Sequence, residues 1–215
     1  MIARRSYLYV SVAIAAVLWF LMFSPWTAHW FNFWWAMTAS GIILTSMAFA
    51  FGDTPFSTHL FSFRRGWGWA YELLLGATIA VVLWGVFWVG NKLSQLLFDF
   101  ARPQVDLIYN MKSGQSPSMI AALLLWIIGP AEELFWRGYV QRTLSSRLSP
   151  LLAFVLTTAV YTCVHLPSGN FMLIMAAMTC GILWGGLYYL MPRHLLAIIV
   201  SHALWDAAAF VWFPF

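Results

Sequence analysis

Three pairs of polar residues, each four positions apart, lie within apolar stretches of this chain of 215 residues. The pairs are Glu133 with Arg137, Tyr161 with His165, and His202 with Asp206, and Glu132 precedes the first pair. Residues at positions i and i+4 share one face of an α-helix, so each pair presents its side chains together. Glutamate and histidine are side chains that move protons in catalysis. If the three faces meet, they can activate a water molecule for hydrolysis.

The two adjacent glutamates are expected to differ in role, because helical geometry places them about 100° apart around the axis. Glu133 precedes Arg137 by four residues, which is the better order for an ion pair in a helix. Glu132 is therefore left for chemistry as the general base. Pro130 removes a backbone donor, which predicts a kink and a new helix N-terminus whose dipole stabilises both carboxylates. The alternative is a buried network of both glutamates with Arg137 that has no further function.

The histidines permit two chemical routes. In the first, Glu132 takes a proton from water, a histidine shares or passes on that proton, and the other polar pair stabilises an oxyanion. In the second, two histidines and a carboxylate bind Zn²⁺ and leave one position open for water. The zinc ligands would come from Glu132, His165, His202 and Asp206. We expect the route without metal, so no cofactor is predicted and zinc is the alternative.

The composition places these residues in a membrane protein. The chain is 62% hydrophobic and 8% charged, whereas an ordinary globular domain is about 25% charged. So few charges could not cover the surface of a soluble enzyme of this size. The basic residues form no stripe, which argues against nucleic acid as a partner. The 14 Trp and 8 Tyr residues fit the aromatic belts of a membrane protein.

Seven stretches are apolar enough to predict membrane-spanning helices: 6–26, 30–51, 73–91, 119–140, 151–165, 171–191 and 195–215. The segment 92–116 begins with Leu93, Leu96, Leu97 and Phe100, whose spacing predicts a short amphipathic helix at the interface. The alternative for this segment is an ordinary loop. The predicted fold class is therefore all-α: a polytopic membrane helical bundle of about seven transmembrane helices and a short interfacial amphipathic helix.

The positions of Arg and Lys predict the orientation of the chain. With the N-terminus in the cytoplasm, seven spans place seven basic residues on that side: Arg4, Arg5, Arg64, Arg65, Arg142, Arg147 and Arg193. The opposite side receives three: Lys92, Arg102 and Lys112. We expect an integral multi-pass protein of the plasma (inner) membrane with a cytoplasmic N-terminus. Its expected partners are the lipid bilayer and a membrane-associated peptide or protein substrate, without nucleic acid.

At these residues the sequence resembles a family of membrane proteases. The string Glu132-Glu133-xxx-Arg137 resembles the first motif of the CPBP family (CAAX protease and bacteriocin-processing, or Abi). Tyr161-xxx-His165 resembles the second motif, usually Phe-xxx-His, and His202-xxx-Asp206 resembles the third, His-xxx-Asn or Asp. The resemblance covers roughly residues 130–215. We therefore divide the chain into N-terminal membrane helices and an interfacial segment without a matching motif (1–116) and a catalytic helical core (117–215).

The resemblance implies an all-helical intramembrane endopeptidase related to the CAAX prenyl protease. It implies that Glu132 and His165 activate water and that His202 and Asp206 form an oxyanion pocket. The family has been described both as metalloproteases and as metal-independent glutamate proteases.

Two residues depart from the family's usual pattern. Tyr161 replaces the usual Phe, which predicts a hydroxyl near His165. Asp206 stands where the eukaryotic enzymes have Asn, and an ionised Asp cannot donate to an oxyanion. Asp206 is therefore expected to orient His202 or to bind a metal.

A different class of function uses the same residue types. A proton-coupled transporter, or a non-catalytic immunity-type membrane protein, can also bury Glu, His and Asp. A transporter more often shows inverted repeats and paired broken helices, whereas this sequence has one Pro-broken helix and no repeat. A protease requires Glu132, His165 and His202 around one cavity rather than along a pore.

The depth of His165 sets a further condition on the fold. At 1.5 Å per residue, Glu132 lies about 15 Å from the cytoplasmic boundary at Arg142. A straight helix from Arg147 would carry His165 about 27 Å across, too far to reach Glu132. We therefore predict that the sixth span enters the membrane late, and that residues 165–170 form a turn buried within the protein.

Overall fold

The computed structural model describes residues 2–52 and 68–215, and it describes side chains from residue 7 onward. Within these ranges the chain is helical and contains no strand. The helices are α1 (Ile2–Phe23), α2 (Phe33–Phe51), α3 (Gly68–Leu97), α4 (Ala101–Asn110), α5 (Pro117–Ser145), α6 (Pro150–Cys163), α7 (Phe171–Leu190) and α8 (Leu195–Ala207). A π-helical turn over Ala208–Trp212 continues α8. The predicted all-α fold is confirmed.

Six helices in the described ranges are long and apolar enough to cross a membrane. They are Phe33–Phe51, Gly68–Leu97, Pro117–Ser145, Pro150–Ser168, Phe171–Leu190 and Pro192–Trp212. In α1 the described apolar part, Tyr7–Phe23, is shorter than these six. The predicted polytopic bundle is thus confirmed. The side chains of Arg4, Arg5, Arg64 and Arg65, which support the orientation prediction, lie outside the part that the structure describes.

Polar caps set the starts of several helices. The Asn32 side chain accepts hydrogen bonds from the backbone N–H groups of Trp34 (3.1 Å) and Trp35 (3.3 Å) at the start of α2. Ser149 and Asn170 do the same for α6 and α7, at 3.2 Å and 3.0 Å. Each cap satisfies backbone donors that have no partner inside the helix. These caps are local features, which is why helix starts near them are predictable from sequence.

The short amphipathic helix begins later than predicted. Leu93, Leu96 and Leu97 form the last turns of α3, so the prediction of an amphipathic helix starting at Leu93 is wrong. Lys92 ends the apolar stretch, but lysine is a good helix former and does not end the helix. The separate short helix is α4, whose buried residues are Ala101 and Val105.

Helix α3 supports α8, the helix that carries His202 and Asp206. Glu72 is buried in α3, and its carboxylate accepts the backbone N–H of Ala197 at 3.0 Å and lies 2.7 Å from His194 Nδ1. It therefore caps the first turn of α8 from another helix. One turn later, a Cβ on Gly76 would lie 2.7 Å from the Ala197 carbonyl oxygen. The two helix backbones approach closely there, and glycine is what permits it.

The predicted break at Pro130 is not present. Ile128 and Gly129 keep helical dihedral angles, with φ of −67° and −57° and ψ of −59° and −49°. A π-helical turn over Leu124–Ile128 precedes the proline, and the Gly129 N–H donates to the carbonyl of Leu124, five residues earlier. The wider turn accommodates the proline ring and its missing donor. The glutamates thus lie inside a continuous helix, and the prediction that a free N-terminus stabilises them is wrong.

Candidate active site

A cavity of about 460 Å³ lies within the helical bundle and is lined by Glu132, His165, His202 and Asp206. All four residues are buried, with exposed fractions of 8%, 6%, 3% and 7% in that order. The rest of the lining is mostly apolar and comes from both halves of the chain, including Phe23, Trp34, Phe87 and Phe210. The structure therefore brings the four predicted catalytic residues to one apolar cavity rather than spacing them along a pore.

The carboxylate of Glu132 is held by Tyr161. The Tyr161 hydroxyl donates a hydrogen bond of 2.8 Å to Glu132 Oε2. The hydroxyl was expected near His165, whose ring centroid lies 5.0 Å from that of Tyr161. The contact with Glu132 joins α6 to α5 and was not predicted, since it depends on how the two helices pack. Tyr161 therefore fixes the orientation of the cavity carboxylate.

Glu133 forms the centre of a buried network behind the cavity. Its Oε1 accepts from Arg137 Nη1 at 2.9 Å, which confirms the predicted ion pair. The same oxygen lies 2.6 Å from His202 Nδ1, a partner that the sequence did not predict. Arg137 also donates from Nη2 to the carbonyl of Cys180 at 3.2 Å, and Glu133 is fully buried. Glu133 thus fixes His202, whereas Glu132 lines the cavity.

Two carboxylates and an indole ring hold His202. Nδ1 faces Glu133, and Nε2 lies 3.5 Å from Asp206 Oδ2. The Trp184 ring stacks on the imidazole with centroids 3.8 Å apart and an interplanar angle of 14°. Trp184 is itself held by its Nε1–H, which donates to Ser201 Oγ at 2.9 Å. The arrangement agrees with the expectation that Asp206 orients His202.

Neighbouring groups define the tautomer of His165. Its Nδ1 lies 2.7 Å from the backbone carbonyl of Tyr161, which can only accept, so Nδ1 carries the proton. Its Nε2 lies 3.2 Å from Trp19 Nε1, an indole nitrogen that can only donate. The ring is thus neutral, with the Nε2 lone pair directed at Trp19. Trp19 was not predicted as a site residue, because an isolated tryptophan in an apolar stretch resembles a packing residue.

The turn after His165 is only partly buried. His165 is buried as predicted, but Leu166 and Gly169 are exposed, so the prediction of a turn buried within the protein is wrong. A short 3₁₀ turn, Leu166–Ser168, directs Leu166 outward, and Gly169 then adopts a left-handed conformation with φ of 61°. The turn thus keeps His165 inside the bundle while exposing the next residue.

The histidines do not fit a metal site as they are arranged. No three His, Cys, Asp or Glu residues in the described ranges are grouped so that they could hold a metal ion. His202 Nδ1 faces Glu133, and both nitrogens of His165 have protein partners. A zinc site of Glu132, His165, His202 and Asp206 would require His165 Nε2 to exchange Trp19 for the metal.

The comparisons with known proteins agree with the three motifs. Residues 114–208 match a family model described as type II CAAX prenyl endopeptidase, Rce1-like. No curated protein and no solved structure matches the chain. All three motifs lie within the matched region, and helices α1 to α4 precede it. Residues 114–208 are therefore similar to the Rce1-like family of type II CAAX prenyl endopeptidases, as the order of the motifs predicted.

Proposed function

We propose that the chain is an intramembrane endopeptidase that hydrolyses a peptide bond of a membrane-associated substrate with a water molecule activated by Glu132 and His165. The observation that carries this proposal is the apolar cavity lined by Glu132, His165, His202 and Asp206. Burial of reacting groups in an apolar cavity strengthens their electrostatic interactions. The family description supports a prenylated peptide as the class of substrate.

The first step concerns the nucleophile. Both Glu132 and His165 Nε2 are acceptors, so a water molecule between them would donate one hydrogen to each. Its oxygen then attacks the carbonyl carbon of the substrate, and one water proton moves to Glu132. For His165 to take part, the water has to share Nε2 with Trp19, which occupies it in this structure.

The second step concerns the charge on the substrate. The attacked carbonyl oxygen becomes an oxyanion, which a donor in the cavity stabilises. His202, as an imidazolium between the carboxylates of Glu133 and Asp206, supplies this donor from Nε2, since Nδ1–H donates to Glu133. The carbon–nitrogen bond then breaks, and Glu132 returns its proton to the leaving amine. Water has been added across the bond, and the enzyme regains its starting protonation state.

We also propose that the reaction needs no metal. This proposal is supported by the hydrogen-bond partners already present at the histidines: Trp19 donates to His165 Nε2, and Glu133 accepts from His202 Nδ1. The role of Asp206 is then to orient His202 from 3.5 Å rather than to ligate zinc.

The location of the protein belongs to the same proposal. The bias of Arg residues supports insertion in the plasma (inner) membrane with the N-terminus in the cytoplasm. The lipid bilayer and a membrane-associated peptide or protein are its partners. Labelling of single cysteines placed at either end of the chain, in intact cells and in permeabilised cells, tests this orientation.

The function is tested with purified protein in phosphatidylcholine liposomes and a farnesylated peptide ending in a CAAX sequence. We expect cleavage, with product masses that identify the bond broken. The same peptide without the farnesyl group is the control for the substrate class, and equal cleavage of both peptides would contradict a prenylated peptide as that class.

Comparative proteomics of membranes containing wild type or Glu132→Gln then identifies natural substrates as uncleaved proteins in the variant. Absence of cleavage of any peptide by wild type, together with identical membrane proteomes, would contradict the proposal.

A further inference from the structure

Asn91 contributes a polar group to the cavity from a helix that carries none of the three motifs. It lies near the end of α3, outside the region that matches the family model. It lines the same cavity as Glu132 and His202, and its exposed fraction is 7%. Its amide nitrogen Nδ2 is buried and has no hydrogen-bond partner within the part of the chain that the structure describes.

Gln95 fixes the orientation of the Asn91 amide. Gln95 Nε2, one helical turn later on α3, donates to Asn91 Oδ1 at 3.0 Å. This contact occupies the carbonyl oxygen and leaves Nδ2 as the unsatisfied end of the amide. A buried donor without a partner costs stability, and such groups in native structures call for an explanation. A ligand in the cavity that accepts a hydrogen bond from Asn91 Nδ2 would provide this explanation.

The position of α3 places Asn91 close to the third motif along the bundle. Phe87 is one turn before Asn91 and also lines the cavity. Its ring lies 4.4 Å from that of Trp205, the residue before Asp206, measured between centroids. Asn91, one turn further along α3, lines the same cavity as Asp206. Asp206 as a carboxylate can only accept, whereas Asn91 Nδ2 can only donate.

We propose that Asn91 is a substrate-binding residue whose Nδ2 donates a hydrogen bond to a carbonyl oxygen of the bound peptide. It supplies from α3 a side-chain amide donor of the kind that Asp206 lacks. This inference rests on the proposed peptidase function. It also gives the N-terminal part of the chain a direct role in binding substrate.

The test uses two variants of the full chain in phosphatidylcholine liposomes with the farnesylated CAAX peptide. Asn91→Asp keeps the acceptor for Gln95 but loses the donor. Asn91→Leu removes the unsatisfied donor at similar volume, so its thermal unfolding midpoint in detergent should equal or exceed that of wild type. We expect kcat/KM to fall about tenfold or more in both variants, as for loss of a hydrogen bond to substrate. Thr78→Ala, on an exposed face of the same helix, is the control and should keep wild-type activity.

A binding measurement separates this inference from the peptidase proposal. In a Glu132→Gln background, the fluorescently labelled peptide should bind about fivefold or more weakly when Asn91 is Leu. If wild type cleaves the peptide and Asn91→Leu matches it in kcat/KM and in binding, the inference is overturned and the peptidase function stands. If wild type neither cleaves nor binds the peptide, both are overturned. If wild type binds without cleaving, weaker binding by Asn91→Leu still supports the inference.

Discussion

Trp19 Nε1 donates a hydrogen bond to His165 Nε2 over 3.2 Å, although 146 residues separate the two in the chain. Trp19 lies in α1, which precedes every motif, and it is buried. The Trp19 and His165 rings meet edge to face with centroids 6.2 Å apart. Phe23, which is also on α1, has its ring centroid 5.3 Å from that of His165. The first helix therefore helps to set the orientation of His165, a proposed catalytic residue that follows the end of α6.

Replacement of Trp19 tests this relationship. Trp19→Phe keeps an aromatic ring but removes the N–H donor, so His165 keeps only its bond to the Tyr161 carbonyl. A loss of about 1 kcal/mol of positioning energy corresponds to a fall in kcat of about fivefold. Steady-state kinetics with the farnesylated peptide measure this effect. Trp126→Phe is the matched control, since Trp126 faces outward with 79% of its surface exposed. Equal kcat for Trp19→Phe and wild type would remove Trp19 from the account.

The network around Glu133 is predicted to act mainly on stability. Glu133→Gln removes, in a buried site, the carboxylate that contacts both the Arg137 guanidinium and His202 Nδ1. Breaking a buried ion pair by removal of one partner costs about 3–5 kcal/mol, so the thermal unfolding midpoint in detergent should fall clearly.

An exposed pair of the same spacing provides the control. Arg102 and Asp106 are also four residues apart and 3.0 Å from each other, but their side chains are 61% and 50% exposed. Asp106→Asn should cost less than about 1 kcal/mol, because exposed ion pairs contribute little. A Glu133→Gln protein as stable as Asp106→Asn would mean that the buried network does not hold this region together.

Gly129 is predicted to set the distance between the first and third motifs. A Cβ at Gly129 would lie 2.8 Å from Ala203 Cα, and that backbone belongs to α8 next to His202. Gly129→Ala should therefore push α5 and α8 apart, at a cost of about 1–3 kcal/mol, and reduce activity. A Cβ at Gly85 in α3 meets nothing within 4 Å, so Gly85→Ala should be neutral or stabilising. Equal unfolding temperatures and activities for the two variants would contradict the close approach.

The metal proposal has a readout that does not depend on activity. Purified active protein should contain far less than one transition metal ion per chain by elemental mass spectrometry. Zinc at one ion per chain that is lost in both His165→Ala and His202→Ala would overturn the proposal and restore the zinc alternative.

Local relationships in this protein could be predicted from its sequence, whereas contacts between distant helices could not. The Glu133–Arg137 pair follows from helical spacing and is present at 2.9 Å. The bonds from Tyr161 to Glu132 and from Trp19 to His165 depend on how helices pack. A single sequence contains no signal for that packing.

The helix boundaries show the same limit. An apolar stretch ends at Lys92, but α3 continues to Leu97, since a charge does not end a helix that neighbouring backbone hydrogen bonds sustain. Pro130 removes a donor, but a π-helical turn accommodates it without a break. Single-residue propensities therefore identify Lys92 and Pro130 as unusual positions, but they do not predict how the backbone adapts at these positions.

The central claim is that Glu132 is the general base, and Glu132→Gln tests it most directly. Glutamine keeps the shape of the side chain and an acceptor for the Tyr161 hydroxyl, so the variant should unfold within a few degrees of wild type. Loss of a general base lowers rates about 10²- to 10⁴-fold, and we predict a fall in kcat of that size with the farnesylated peptide in liposomes. Cleavage by folded Glu132→Gln at the wild-type rate would contradict the account.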